Sequence, residues 1–168
     1  FLLDKFGCVL PDAKNNNKYF MIYRNYDDTD SGGQIFLLRY STIEFDTQHK
    51  LGIVKEKDKS ILNKLFHVNH FDVIKHANVY DYWILTYNYA SDTAITFLFK
   101  DGSFIGPNYQ FFRIPVGRYN WASSSCSSPD GTINVRFDAR AGLSVMNFDR
   151  NTGLLSNLKY YPFWTQFS

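Results

Sequence analysis

Along most of this chain apolar and polar residues alternate with a period of two, the signature of strands with one face against a core. The alternation places strands near Tyr19 to Arg24, Gln34 to Ser41, Phe71 to His76, Tyr82 to Tyr87, Ala94 to Lys100, Gly131 to Asp138 and Leu143 to Phe148. Turn chemistry bounds several of them: Asn15-Asn16-Asn17, Asp30-Ser31-Gly32-Gly33 and Ser128-Pro129-Asp130-Gly131. The run Ser123 to Ser128 reads as a small-residue strand near an inner axis, where side chains must be small to fit. One stretch breaks the period. From Lys57 to Phe66, Ile61, Leu62, Leu65 and Phe66 fall at i, i+1, i+4 and i+5, which suits either a short helix or a loop between repeats.

A second, longer period overlies the first. An aromatic residue followed by a turn that ends in glycine recurs as Phe45-Asp46-Thr47-Gln48-His49-Lys50-Leu51-Gly52, Phe99-Lys100-Asp101-Gly102 and Phe148-Asp149-Arg150-Asn151-Thr152-Gly153. The spacing of about 50 residues is that of four-stranded propeller blades. The strands starting at Tyr82 and Thr132 keep the same offset, as do Thr93 and Leu143 at the starts of their partners. The expected fold is therefore all-β: about three four-stranded antiparallel blades of a β-propeller, with repeats near 18–54, 70–106 and 120–160 in one segment spanning 1–168. Closed propellers use roughly 4 to 8 blades, so three imply that the others come from elsewhere. Phe45, Phe99 and Phe148 are expected at equivalent, buried hairpin positions.

Composition narrows the classes. An aromatic content of 18% favours half-buried pleated surfaces. With 18 basic and 16 acidic residues the net charge is only +2, and the densest basic stretch, Lys55 to Lys64, is interrupted by Glu56 and Asp58. That leaves nucleic-acid binding without an electrostatic footprint. No run approaches the ~18 apolar residues of a membrane helix, so membrane insertion is not expected. Two cysteines, Cys8 and Cys126, are too few for a disulfide framework. They read as small buried thiols, with a disulfide as the alternative for an exported protein. The opening Phe1-Leu2-Leu3 and the closing aromatic cluster Tyr160-Tyr161-Pro162-Phe163-Trp164 give the expectation of a segment of something longer.

Several motifs together resemble a known family. Tyr40-Ser41-Thr42-Ile43 with Leu51-Gly52-Ile53-Val54, Lys75-His76-Ala77-Asn78 running into Asp81-Tyr82-Trp83, Ser128-Pro129-Asp130-Gly131, and Phe148-Asp149-Arg150 with Thr152-Gly153 and Ser156-Asn157 occur in this order. Over residues 18 to 160 the chain is similar to the propeller region of large Bacteroidota surface proteins exported by the type IX, gliding-associated secretion route. The resemblance implies a propeller and an exported, cell-surface location, and brings no catalytic residues. One departure is Val79-Tyr80, where that family has a glycine after the Asn. In such proteins Asp-Ser/Thr before a small or apolar residue is O-glycosylated, which marks Thr93 in Asp92-Thr93-Ala94 as an acceptor on a hairpin tip.

Candidate chemistry is sparse. Asp27-Asp28-Thr29-Asp30-Ser31-Gly32 has the carboxylate density of a calcium loop, with Asp28 and Asp30 as the ligands. Its spacing fits poorly, since counted from Asp27 the twelfth residue is Leu38 and not a Glu. His67, His70 and His76 suggest zinc, but only Asp72 stands beside them at ligand spacing. The serine run lacks a nucleophile elbow and a base. Aromatic residues around the third quarter of the chain are the better binding surface, with Tyr80, Trp83, Tyr89 and Tyr109 as its candidates and inter-blade packing as the competing role. The sequence thus leads to a non-catalytic recognition or assembly scaffold with no cofactor. Its partners would be other protein chains, the rest of its own polypeptide, or glycans. A structural subunit joined to others through open blade edges is the alternative, and a propeller enzyme the third reading.

Overall fold

β-Branched and aromatic runs pair in chain order into antiparallel meanders. The computed structural model describes residues 2–3, 7–27, 35–46, 51–62, 66–88, 91–114, 123–139 and 141–163. The first sheet holds β2 (Gly7–Pro11), β3 (Lys18–Asp27), β4 (Ile35–Glu44) and β5 (Ile53–Leu62), extended at its β2 edge by the two-residue β1 (Leu2–Leu3). The second is β6 (Phe66–Lys75), β7 (Tyr82–Asn88), β8 (Ala94–Lys100) and β9 (Ser103–Gln110); the third is β10 (Ser123–Ser127), β11 (Ile133–Asp138), β12 (Gly142–Asp149) and β13 (Leu154–Pro162). No helix occurs among the described residues. The all-β, blade-like reading holds, and the three sheets do not close on themselves.

Sheet stacks on sheet, as propeller blades do. The second sheet is covered on both faces, so the middle positions of β7 and β8 are buried without alternation. One face, with Phe71, Ile84, Ile95, Phe97 and Phe99, meets Leu10, Phe20, Ile22 and Leu38 of the first sheet. The other, with Ile74, Trp83, Leu85 and Tyr87, meets Met146, Phe148 and Leu155 of the third. The outer sheets have only one neighbour each. By register, Tyr19, Met21, Ile43 and Val54 of the first sheet and Ile133, Val135, Phe137, Leu143 and Val145 of the third point away from the stack.

The expected pairings of Tyr82–Tyr87 with Ala94–Lys100 and of the Gly131–Asp138 region with Leu143–Phe148 are found. The serine strand is β10, at the edge of its sheet and packed beside β6. Three expectations change. Lys57 to Leu62 are the end of β5 and Phe66 opens β6, so the described part of the Lys57 to Phe66 stretch is strand; residues 63–65 lie outside the described residues. β5 pairs with β4 through repeated register shifts, and Asp58 sits at φ 52°. Such bulges break the period of two and imitate a helical spacing. Phe45 is not equivalent to Phe99 and Phe148. Phe99 pairs with Tyr82, the residue before Trp83, and Phe148 donates its N–H to Thr132, the residue before Ile133. In the first sheet that register belongs to Ile43, opposite Tyr19, so Phe45 lies past the end of β4, 42% exposed and edge-on to the Tyr19 ring. Finally, only Cys8 is buried; Cys126 is exposed on β10, and the two thiols are free.

Adjacent sheets share a lock near their outer hairpins. The β8–β9 turn of the second sheet carries Gly102 at φ 75°, where an added Cβ would stand 3.2 Å from Phe20 of the first sheet. The β12–β13 turn of the third carries Gly153 at φ 72°, where a Cβ would fall 2.5 Å from Trp83 of the second. Both glycines supply a left-handed turn and let an aromatic ring of the preceding sheet lie against bare backbone. Arg150, from the same turn as Gly153, completes the second lock. Its Nε donates to the Lys75 carbonyl at 2.8 Å, and its own carbonyl accepts from Trp83 Nε1 at 2.8 Å. Lys14 and Asp101 pair at 3.2 Å across the first junction.

Candidate functional site

The two seams between sheets differ in kind. Between the first and second sheets the core is aliphatic and aromatic, with Arg24 of β3 on the same inward face by register. Between the second and third, the half nearest the inner strands β6 and β10 is polar. His70 and Asp72 on β6, Tyr87 on β7, Asn134, Arg136 and Asp138 on β11, and Ser123, Ser125 and Ser127 on β10 share this space by strand parity.

One amide organises it. Asn134 is fully buried, and its Nδ2 donates to Asp72 Oδ2 at 2.9 Å and to Ser127 Oγ at 3.0 Å. Its Oδ1 accepts from the Tyr87 hydroxyl at 2.9 Å. The amide thereby links β6, β7 and β10 through β11, and it fixes the direction of the Asp72 carboxylate. Burial pushes the Tyr87 phenol well above its ordinary range, so it remains a donor. His70 lies edge-on to the Tyr87 ring at 5.3 Å.

Arg136 is the cation of the seam and is only 2% exposed. Its guanidinium carbon lies 4.7 Å from the centre of the Tyr87 ring, and Nη2 donates to the Ser91 carbonyl at 3.2 Å. Burial lowers its pKa, while the nearby Tyr87, Asp138 and Asp92 act in the opposite sense. Asp92 is buried in the β7–β8 turn and accepts from the Ile114 N–H at 2.9 Å; Asp138 accepts from the Ala141 N–H at 2.9 Å. Asp92 and Asp138 therefore lie near the Arg136 guanidinium, while Asp72 and His70 lie near Tyr87. The seam holds more carboxylates than guanidinium groups. Such a site can accept hydrogen bonds from hydroxyls or ammonium groups, and it disfavours an anion.

The residues singled out from sequence are scattered. Tyr80, in the β6–β7 turn, and Tyr109, on the outer strand β9, are exposed at different levels of the second sheet. Trp83 corrects the expectation of an exposed aromatic. It is buried, stacked on His76 at 5.8 Å and seated on Gly153, so it packs sheets together. Tyr87 is likewise fully buried. Tyr89, Asp28 and Asp30 lie outside the described residues. Among the described residues no three metal-liganding side chains converge. His76 accepts the Asn78 N–H at Nδ1, and Asp72 is engaged by Asn134. Thr93 lies in the β7–β8 turn with its hydroxyl 2.9 Å from Ser91 Oγ. The Ser128 to Gly131 turn is self-contained. Ser128 Oγ and the N–H and hydroxyl of Thr132 all bond the Asp130 carboxylate and hold its pKa down to about 2.

Sequence reasoning did not find the seam. Its signal is the Asn134, Arg136, Asp138 alternation on β11, which reads as a solvated face until the sheet is known to be covered on that side. The opposite residues, Ile133, Val135 and Phe137, look like the core side and point outward instead.

No protein-family model matches the chain, and no curated protein matches it. A solved structure that it resembles is the crystal structure of a putative 6-phosphogluconolactonase from Bacteroides fragilis, at 14% identity and a TM-score of 0.46. The likeness covers 84% of this chain and 42% of that one, so the chain spans well under half the length of that protein. A protein described as an enzyme stands against the expectation of a non-catalytic scaffold or structural subunit, and against the reading of the chain as no enzyme; those expectations are withdrawn. At that level of similarity the likeness assigns no activity to this chain.

Proposed function

We propose that this chain is an arc of a β-propeller that binds a small polyhydroxylated ligand at the axial end of the seam between its second and third sheets. The observation that carries the reading is the burial of Asp92, Asp138, Arg136 and His70 in one seam, with the half-buried Asp72 on the same face, while the core of the neighbouring seam is mainly aliphatic and aromatic. A buried charged cluster contributes less stability than well-packed apolar side chains of the same volume and is commonly retained for function. Its excess of carboxylates suits a ligand rich in hydroxyl donors, which carboxylate oxygens accept in pairs. Asp72, oriented by Asn134, is the group placed to receive such a donor.

The test is a titration followed by amide NMR, with glucose and sorbitol as probes and inorganic phosphate as the anionic control. Shifts at Ser91, Ser123, Ser125 and Asn134 with the polyols and none there with phosphate are expected. A phosphate response at these amides, or polyol shifts elsewhere only, overturns the proposal. The variant Asp92→Asn/Arg136→Met/Asp138→Asn removes the guanidinium together with the two carboxylates that act on it, and gives up the bond from Arg136 to the Ser91 carbonyl. It is expected to melt no lower than the parent and to lose the polyol shifts. A fall of many degrees would show that the cluster serves the fold instead.

A further inference from the structure

Arg136 is bonded less fully than its burial demands. It is 2% exposed, yet of its guanidinium nitrogens Nη2 alone is bonded, to the Ser91 carbonyl. Nε and Nη1 are buried without an acceptor, and among the described residues no carboxylate forms an ion pair with the group. Asp92 and Asp138 lie near it, but their printed bonds go to the backbone N–H groups of Ile114 and Ala141. Ser125, directly opposite Arg136 on β10, is 4% exposed, and its Oγ is also buried without a partner. Cross-strand partners share a face, so these buried polar atoms turn into the same part of the seam.

Interior polar groups are paired with few exceptions, and a charged donor is the costliest to leave out. The fold does not force the exception. Ser125 on β10 and Ser144 on β12 flank Arg136, where a longer amide or carboxylate side chain would reach the guanidinium from either neighbouring strand. The chemistry of the atoms says what suits them. Nε and Nη1 only donate, so the group they hold is an acceptor; the carboxylates beside them only accept, so that group must also donate. A hydroxyl meets both demands. An alkylammonium only donates, an ether or carbonyl only accepts, and an anion is turned away by the two carboxylates. Neighbouring hydroxyls on one ligand fit best, since one can accept from the guanidinium while the next donates to a carboxylate.

We infer, given the polyol site proposed above, that Arg136 and Ser125 are its specificity-determining residues: they supply the donors that admit a neutral vicinal diol and refuse an ammonium group. Carboxylates alone would take either. With the guanidinium among them, a cation meets like charge and leaves Nε and Nη1 unbonded, whereas a diol satisfies both kinds of group at once. The seam is thereby a site for neutral sugars and sugar alcohols, and not for polyamines.

Amide NMR titrations with sorbitol and with putrescine test it on the parent, Ser125→Ala and Arg136→Met. In the parent, sorbitol should shift the Ser125 and Arg136 amides and putrescine should not. Ser125→Ala, a loss of one oxygen atom, should weaken sorbitol about fivefold. Arg136→Met leaves Asp92 and Asp138 without their cation, so the preference should invert, with putrescine shifting the seam amides and sorbitol weakened about tenfold or more. No response to sorbitol in the parent's seam overturns the polyol reading and this inference with it. Equal responses to both probes in the parent overturn the inference alone, because hydroxyls then bind without being selected. An unchanged sorbitol affinity in Ser125→Ala, or the parent's preference retained in Arg136→Met, shows that ordered water serves these donors and also overturns the inference alone. Should Arg136→Met fail to fold, Ser125→Ala decides by itself.

Discussion

Replacing Gly153 with alanine should cost clearly more than replacing Gly102, although both turns are left-handed to the same degree. At φ 72° and 75° the backbone term is alike, about 1–2 kcal/mol for an L side chain in that region. The steric term is not. At Gly102 the new Cβ stands 3.2 Å from the tip of Phe20, which can give by a few tenths of an ångström. At Gly153 it falls 2.5, 2.7 and 2.7 Å from three atoms of the Trp83 ring. That ring is held by its bond to the Arg150 carbonyl and by the His76 stack, so it must break a contact to move. Overpacking of this kind costs about 1–3 kcal/mol, giving ~2–5 kcal/mol for Gly153→Ala against ~1–2 for Gly102→Ala. In a chain of this size each kcal/mol shifts the melting temperature by roughly 2–4 °C. Thermal melts of both variants, repeated on a Trp83→Leu background, separate the two terms. With the ring gone, Gly153→Ala should fall to the cost of Gly102→Ala; an equal cost in both backgrounds would refute the lock between sheets.

Three further outcomes follow from single residues. Val79 holds φ 64° where the resembled family has glycine, and it is exposed, so Val79→Gly should raise the melting temperature by about 1–4 °C as left-handed strain is relieved against a smaller loss of chain entropy; a fall in stability contradicts this account of the turn. Phe148→Ala empties a fully packed position and should cost about 3 kcal/mol or more, whereas Phe45→Ala should cost under ~1 kcal/mol, a ratio that chemical denaturation can measure. Burial pushes the Cys8 thiol from 9.0 up to about 12, so the folded state keeps a proton that the unfolded chain releases. Its contribution to stability is complete below pH 9 and lost as the pH rises toward 12. Cys8→Val should flatten the alkaline limb of the stability curve, and in the parent only Cys126 should react with a thiol reagent at pH 8.

What the sequence revealed and what it hid divide along edges. Strands β3, β4, β7, β8, β11 and β12 lie inside their sheets and carry the β-branched and aromatic residues that alternation detects. β5, β9 and β13 are outer edges. Lys55, Lys57 and Lys59 on β5 and Ser156 and Lys159 on β13 face solvent, and charge on an edge strand guards it against further pairing while erasing its periodic signal. The 49- to 50-residue offset between the second and third sheets was visible because their hairpins match in length. In the first sheet the longer β3–β4 hairpin displaced the register, and Phe45 took the place in the motif that Ile43 holds in the structure. The polar seam was hidden for a related reason: on a strand covered from both sides, the polar face and the apolar face are both interfaces, and sequence gives no sign of which sheet each one meets.

The division of labour within the second seam explains how a polar cluster survives there. Its outer half packs Ile74, Trp83, Leu85, Met146, Phe148 and Leu155, each worth about 1.5–3 kcal/mol in burial. The lock at Gly153 and the paired bonds between Gln110 and Leu155 fix the spacing of the sheets independently of the inner half. With register and distance set at the outer edge, the inner half can hold Asp72, Arg136 and Asp138 at a desolvation cost that the outer contacts offset. The first seam has no such partition, and its inner residues Cys8 and Leu10 remain part of the apolar core. The second seam can therefore give up apolar packing near the axis without losing its alignment, and the buried Asp92, Arg136 and Asp138 are found there.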